Sequence, residues 1–445
     1  MDKRSVKSGF IITALSSGSG KTTITVGLLR ALRERGLNVS PFKIGPDFID
    51  TIFHKAASGK DSINLDIYMS DENHVKGLIN KYSEGCDVCL VEGVMGMLDG
   101  YDGRKGSAVH LAELTGMPLV LVVNAASTGY SIFPLLWGVR NFDKNIKLAG
   151  IVFNNVASEK HQMLLEMAVR DAGVNCLGYI GRDENLAVPS RHLGLSIANK
   201  NKIEKFVEKA SKAVARIDID RLLSLTTLLE NRPLSNETSI DESGSKHNRL
   251  KRIALAKDDA FNFIYPENIE SLKRSKLFAG EVIEFSPLKD KRMPDADFLY
   301  LPGGYPELYA SQLESNESMR MSIREYIENG GYAFAECGGM LYLCERIDGC
   351  RMCGILPATA TMEHSRLHLG YRSLIFDKLS IRGHEFHYSD IVADDGGRLN
   401  EYRMPVEQRD VRGEEVETSL YRYKNAIMGY THLYWGNQDI SRFWC

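Results

Sequence analysis

Apolar runs alternate with amphipathic stretches along the first half of the chain. A β-prone run at residues 9–14 is followed by Ile24, Leu28, Leu29 and Leu32 at helical spacing, a pattern that Gly36 stops. Further apolar runs at 37–43, 87–91, 118–124, 148–155 and 175–180 read as strands. Those at 118–124 and 148–155 carry almost no polar position, as strands covered on both faces do. Strands alternating with helices to about residue 230 predict a doubly wound α/β domain. Residues 231–248 are mostly polar and have no period, so a linker is expected at 231–250. Strand patterns then restart at 252–257 and 297–301, and residues 331–343 read as strand, sharp turn and helix. Two α/β domains are therefore expected, 1–230 and 251–445.

Between the first strand and the first helix stands Ser16-Ser17-Gly18-Ser19-Gly20-Lys21-Thr22-Thr23. A glycine loop opening a helix presents free N–H groups to phosphate oxygens. Ser17, Gly18, Ser19, Gly20, Lys21, Thr22 and Thr23 are the expected ATP-binding residues, with Lys21 on the β/γ-phosphates and the Thr22 hydroxyl facing Mg²⁺. One feature departs from the P-loop pattern, since Leu15 stands where a glycine is usual.

Carboxylates follow the next strands. Asp47 and Asp50 lie after a Gly-Pro turn, at the strand end where α/β sheets place their chemistry. Asp50 also suits a helix cap, so Asp47 is the preferred magnesium-side acid. Glu92 closes the apolar run at 87–91, the place of a Walker-B acid. The glycines of the 93–100 loop suit close approach to a ligand, and Asp99 lies within it, whereas Met95 and Met97 read as packing. Asn154 and Asn155 either read a base or turn the chain. Arg191 and His192 either meet an anion or are solvated surface.

In the second half Cys337 stands at the apex of the strand–turn–helix, the geometry of a nucleophile elbow. Gly338 and the Gly303-Gly304 pair are candidate oxyanion donors, and the helix start is expected to lower the thiol pKa. His432, in Thr431-His432-Leu433-Tyr434-Trp435, is the candidate base; taken alone, a buried core histidine is the plainer reading.

Composition narrows the class. The net charge of −3 and a pI near 6.4 leave no electrostatic footprint for nucleic acid or an anionic membrane. No stretch is long and apolar enough to span a bilayer and no signal-peptide core precedes residue 9, so a cytoplasmic place is expected. The 8 cysteines are then expected as free thiols, and the Cys86/Cys89 and Cys350/Cys353 spacings lack a second clear ligand pair.

The stretches at 17–23, 43–50, 92–100, 191–195, 260–268, 301–307, 336–340, 383–389 and 431–435 together resemble the cobyrinic acid a,c-diamide synthases. These are glutamine-dependent amidotransferases of cobalamin biosynthesis. The resemblance covers roughly residues 9–436 and implies a dethiobiotin-synthetase-like P-loop amidoligase domain followed by a class I glutamine amidotransferase domain of flavodoxin-like fold. It implies that Cys337 forms a glutamyl thioester and that His432 activates it. Lys21 and Thr22 then serve ATP and Mg²⁺, with Asp47 and Glu92 near the metal. The substrates implied are ATP, glutamine and a corrinoid whose a and c carboxylates become amides through acyl phosphates. Ni-sirohydrochlorin and hydrogenobyrinate enzymes share these motifs, and a homodimer is compatible with them. Tyr434 stands where class I glutaminases commonly carry a glutamate, so Glu385 is the stand-in considered for a third catalytic member. Asp50, Asp99 and Arg191 are further acid or substrate candidates. The rival from another class is a P-loop switch ATPase, against which stand Ser16, in place of that class's early lysine, and an intact Cys337 and His432.

Overall fold

The computed structural model describes residues 7–183, 186, 188, 200–228, 251–363, 366–377, 379–394 and 398–444. Arg191, His192 and the expected linker at 231–250 lie outside the described residues. The chain forms two compact units.

The first unit is a seven-stranded sheet in the order β3-β2-β4-β1-β5-β6-β7, with every pair parallel. Its strands are β1 (Ser8–Ala14), β2 (Val39–Ile44), β3 (Ile63–Leu65), β4 (Val88–Glu92), β5 (Leu119–Asn124), β6 (Leu148–Val156) and β7 (Cys176–Gly181). The helices that matter for the site are α1 (Lys21–Glu34) and α2 (Ile49–Ser58). The apolar runs form strands because both faces are covered: β1, β2 and β4 are buried along their whole lengths. β1 lies between β4 and β5, so the chain leaves it in both directions across the sheet. Ligands of open α/β sheets collect at the carboxyl ends of strands beside such a switch point.

The second unit has a six-stranded sheet and two four-stranded ones. The large sheet, in the order β19-β20-β11-β10-β8-β9, uses β8 (Lys251–Ala256), β9 (Gly280–Phe285), β10 (Phe298–Leu301), β11 (Tyr332–Glu336), β19 (Leu420–Tyr423) and β20 (Ala426–Gly429). Only β19 runs antiparallel to its neighbour. A mixed sheet holds β12 (Cys344–Ile347), β13 (Cys350–Arg351), β14 (Leu356–Thr361) and β17 (Asp390–Ala393). An antiparallel sheet, in the order β18-β15-β16-β21, holds β15 (His368–Phe376), β16 (Leu379–His387), β18 (Glu407–Arg409) and β21 (His432–Tyr434). Two apolar clusters cover opposite faces of the large sheet, since neighbouring residues of β10 and β11 alternate between them. Nothing in the apolar pattern at 344–430 announces the two small sheets. Among the described residues no helix is long and apolar enough to cross a membrane.

The first helix packs closely on a helix running Lys200–Ala213, and Gly27 sits at the contact. A Cβ there would lie 2.4 Å from the Ala210 carbonyl oxygen and 2.7 Å from a Val214 methyl. Alanine gains about 1 kcal/mol over glycine in helix propensity, but the clash is with backbone that cannot move alone. Gly27→Ala is expected to destabilise the protein, by about 1–3 kcal/mol net. Denaturant unfolding followed by circular dichroism measures this; an unchanged or raised midpoint would refute the close packing.

Candidate functional site

The first unit's candidate site forms where β1, β2 and β4 end. Their residues Ile12, Glu92 and Lys43 stand in one row across the sheet. The loop after β1 turns through Gly18 at φ 76° and Gly20 at φ 101°. These are its left-handed positions, so residue 15 needs no glycine and Leu15 is tolerated there. Gly20 caps α1, which opens on Lys21 and Thr22. The Lys21 ammonium donates to the Met95 carbonyl oxygen at 2.6 Å and to that of Ser16 at 3.3 Å. Met95 is thus no packing residue: it is 43% exposed, left-handed at φ 49°, and holds the P-loop lysine by its backbone. Met97 is buried as expected.

Below the loop lies a buried ion network. Thr22 Oγ1 donates to Glu92 Oε1 at 2.7 Å and to Asp50 Oδ2 at 3.3 Å. The Lys43 ammonium donates to Asp50 Oδ2 at 2.7 Å, Glu92 Oε1 at 3.0 Å and the Gly93 carbonyl at 3.3 Å. His54 Nε2 lies 2.6 Å from Glu92 Oε2, and its Nδ1 lies 3.0 Å from the Ser62 hydroxyl. Burial by itself would discharge Lys43, but Asp50, Glu92 and Asp47 outweigh it and raise its pKa above the ordinary lysine value. Burial likewise opposes the charge on Glu92, yet the Lys43 ammonium holds its carboxyl below the usual value.

The two aspartates exchange the parts expected of them. Asp47 Oδ1 accepts the backbone N–H groups of Ile49 and Asp50, both at 2.9 Å, and so caps α2. Asp50, in the first turn of that helix, carries its carboxylate to Thr22 and Lys43. Asp47 lies farther off, 3.8 Å from Lys43, and burial with the neighbouring Asp50 raises its pKa to about 6. Asp99 closes its own loop by accepting the Gly96 N–H at 2.9 Å. Asn154 donates to the Ser19 carbonyl at 3.0 Å, which places it on the P-loop, while Asn155 at φ 60° turns the chain.

The carboxylates of Asp50 and Glu92 already share one cation, the Lys43 ammonium, and the Thr22 hydroxyl reaches the same two carboxylates. This hard-oxygen set fits Mg²⁺, which typically takes one or two carboxylates and completes its shell with phosphates and water. Among the described residues no group of three or more His, Cys, Asp or Glu side chains is placed to hold a metal ion by itself.

The second unit's candidate site forms at the ends of β10 and β11. Cys337 has φ 46° and ψ −110°, a strained conformation for a non-glycine residue. It follows β11 and caps a helix running Gly338–Leu343, and its N–H donates to the Gly429 carbonyl at 2.7 Å. The elbow is therefore present. Gly338 packs against the turn after β10, since a Cβ on it would lie 3.0 Å from the Gly304 nitrogen. A Cβ on Gly303 would lie 2.1 Å from His432 Cε1. Contact by contact, Cys337-Gly338, Gly304-Gly303 and His432 form one constellation.

The expected lowering of the thiol pKa is not found. Burial, reinforced by the Glu307 carboxylate, raises Cys337 above an ordinary thiol, and the Gly338 N–H only partly offsets this. Burial beside His384 and His387 pushes His432 well below its ordinary value. At neutral pH the pair is a thiol and a neutral imidazole. Glu385 does not serve His432. It follows His384, which pairs with His432 across β16 and β21, so its side chain points to the opposite face. Its carboxylate takes Arg372 at 2.6 Å and the Thr431 hydroxyl at 3.1 Å. The group stacked on His432 is the His384 ring, with centroids 5.0 Å apart.

Comparison with known proteins agrees with this geometry. The model for the CobQ/CobB/MinD/ParA nucleotide binding domain matches residues 10–195, and that for the CobB/CobQ-like glutamine amidotransferase domain matches 252–440. A hydrogenobyrinate a,c-diamide synthase of Brucella ovis is 38% identical, covering 96% of this chain and 98% of its own. A cobyrinate a,c-diamide synthase of Caldanaerobacter subterraneus subsp. tengcongensis is 36% identical over 98% and 97% of the two chains. That of Clostridium acetobutylicum is 36% identical over 97% and 98%. The chain belongs to the a,c-diamide synthase family. As a family member it is an ATP-using glutamine amidotransferase of the carbon–nitrogen ligase class, built from an α/β P-loop unit and an amidotransferase unit.

Sequence reasoning passed over Lys43 and His54 as site residues of this family member. A lysine in an otherwise apolar strand was the available signal, because a buried lysine needs anionic partners. His54 lies four residues after Asp50, on the same helical face.

Two outcomes follow from the electrostatics. Lys43→Met leaves Asp50 and Glu92 buried without their cation, and an uncompensated buried charge costs about 3–5 kcal/mol. Without Lys43 the carboxyl pKa values rise, so the loss should be largest at pH 8 and shrink toward pH 5. Lys43 itself stays protonated across that window. Thermal unfolding of both proteins over this range measures it, and a pH-independent difference would count against the network. In the second unit, alkylation of Cys337 by iodoacetamide, read by peptide mass, should climb about tenfold per pH unit from pH 7 to 9. A plateau below pH 7 would show a preformed thiolate instead.

Proposed function

We propose that this enzyme amidates the a and c side-chain carboxylates of a corrinoid acid, cobyrinic acid first among the candidates, in cobalamin biosynthesis in the cytoplasm. Residues 1–230 act as the amidoligase domain, residues 251–445 as the glutaminase, and 231–250 as the linker. The observation that carries this reading is the Cys337 elbow packed through Gly304 and Gly303 onto His432, in one chain with a P-loop joined to Glu92, Asp50 and Lys43.

In the glutaminase the Cys337 sulfur attacks the glutamine amide carbon, and the neutral His432 imidazole takes the thiol proton. The backbone N–H groups of Gly304 and Gly338 are the donors assigned to the oxyanion. His432 returns the proton to the departing ammonia, and water then hydrolyses the thioester to glutamate. A neutral starting pair suits a buried site, because charge develops only as the sulfur attacks.

In the amidoligase, Ser17 to Thr23 cradle the phosphates of ATP and Lys21 meets the β/γ-phosphates. Mg²⁺, when bound by Thr22, Glu92 and Asp50, supplies neutralising charge to those phosphates. Lys43, anchored between the two carboxylates, keeps a fixed positive charge beside the transferring group. A substrate carboxylate oxygen attacks the γ-phosphorus and releases ADP, and ammonia displaces phosphate from the acyl phosphate. The acyl phosphate is open to hydrolysis and the released ammonia to escape into solvent, which gives a reason for carrying the two activities in one chain. The relatives are named for cobyrinate and for hydrogenobyrinate, and experiment decides between the rings.

The enzyme, Mg-ATP and glutamine are incubated separately with cobyrinic acid, hydrogenobyrinic acid and Ni-sirohydrochlorin, and the products weighed by mass spectrometry. Two successive mass shifts on cobyrinic acid, each replacing hydroxyl by amine, are expected. Conversion of another ring alone would move the substrate, and conversion of none would favour a P-loop switch. In the same assay Cys337→Ala should abolish glutamine-driven amidation and keep ammonia-driven amidation, whereas Lys21→Ala should lose both. Ammonia-driven synthesis by Lys21→Ala would overturn the P-loop assignment.

A further inference from the structure

The candidate nucleophile and base belong to different sheets. Cys337 follows β11 of the large sheet, whereas His432 opens β21 of the antiparallel sheet. No backbone ladder ties β21 to β11, and the chain reaches His432 from β20 across only Tyr430 and Thr431. That short tether limits the separation of the two residues; β21 is laddered to β16, and its setting against β11 falls to side chains.

One side chain bridges the gap. Glu336, the residue before Cys337, is 2% exposed. Its Oε1 accepts the backbone N–H of Leu433, the residue after His432, at 2.7 Å. Its Oε2 accepts the hydroxyl of the fully buried Tyr300 at 2.7 Å. Tyr300 lies in β10, whose end leads into Gly303-Gly304. A single carboxyl on the elbow strand therefore joins the histidine strand to β10, the strand that leads into the glycine turn. Asn268 also holds this stretch, through the Leu433 carbonyl at 2.8 Å and the Trp435 N–H at 2.8 Å, but it reaches from a helix running Pro266–Lys273 and not from the elbow.

We propose that Glu336 is a positioning residue for the glutaminase, setting His432 against the Cys337 elbow by its hydrogen bonds to Leu433 and Tyr300. The proposal rests on the reading of Cys337 and His432 given above. It places the third member of the machinery on the elbow itself, where Glu385, on the opposite face of its strand, cannot act. Burial raises the Glu336 carboxyl to about 8 against the pull of its two hydrogen bonds. A group so costly to bury is retained here at the junction of the two sheets.

The role is one of reach and not of charge, and paired substitutions separate the two. Glutamine keeps the length, accepting from Leu433 with its carbonyl and donating to the Tyr300 oxygen with its amide. Aspartate keeps the acid but is one methylene short. Glutamate release and ammonia-driven amidation are measured on full-length Glu336→Gln, Glu336→Asp and Glu336→Ala, with Cys337→Ala and His432→Ala as controls. Glu336→Gln should keep most of kcat. Glu336→Asp and Glu336→Ala should lose about 100-fold in kcat, the scale of a 1 Å misplacement, with the glutamine KM and ammonia-driven synthesis unchanged. Wild-type kcat in Glu336→Asp would overturn the proposal. So would a Glu336→Gln as slow as Glu336→Ala, or a loss confined to KM. Glutaminase activity surviving in Cys337→Ala or His432→Ala would instead remove the reading on which it stands.

Discussion

Parallel strands finish on the same side of a sheet, and both candidate sites depend on that constraint. In the first unit it brings the loop after β1, Lys43 of β2 and Glu92 of β4 into one row, although they are far apart in sequence. In the second it sets the turn after Leu301 beside the elbow after Glu336, because β10 and β11 are paired in register. A strand end is where backbone N–H and C=O groups leave the ladder and become free to meet a ligand. Loops anchored this way are placed by the rigidity of the sheet beneath them.

The two sites use burial to opposite ends. Around Lys43 the cost of desolvating charge is met by mutual pairing, so the buried ammonium and the Glu92 carboxylate stay ionised together. Such a cluster holds a fixed field below the P-loop. Around Cys337 no cation compensates, and the thiol and imidazole are held neutral. That suits chemistry in which charge should appear only on reaching the substrate. The difference is one of partners, since both clusters are equally removed from water.

Much of the architecture was legible from pattern alone. The largely apolar runs at 118–124 and 148–155 have the pattern of covered parallel strands, and the P-loop context was complete despite Leu15. The mixed and antiparallel sheets between 344 and 430 were not legible. Their strands are half-buried and their pairing is non-local: β14 joins β12 and β17, and β16 joins β21 across some fifty residues of other structure. Period-two patterning there competes with side chains that face neither core nor solvent cleanly.

The sequence by itself determined the chemical inventory: a phosphate loop, acids after strands, and a cysteine at a strand-to-helix apex with a distant histidine. Those are local features, written in spacing and in the few residue types each chemistry tolerates. Only the tertiary structure decided which acid did which work. Asp47 and Asp50 are three residues apart and chemically equivalent, and helix geometry turned one to a cap and the other to Thr22. Glu385 was the acid considered for His432, and strand alternation sends it away, while a 2.7 Å hydrogen bond joins Glu336, which the sequence did not single out, to Leu433. The charge states, too, came from the fold, because desolvation and the neighbours a group meets across strands are properties of three dimensions and not of a motif.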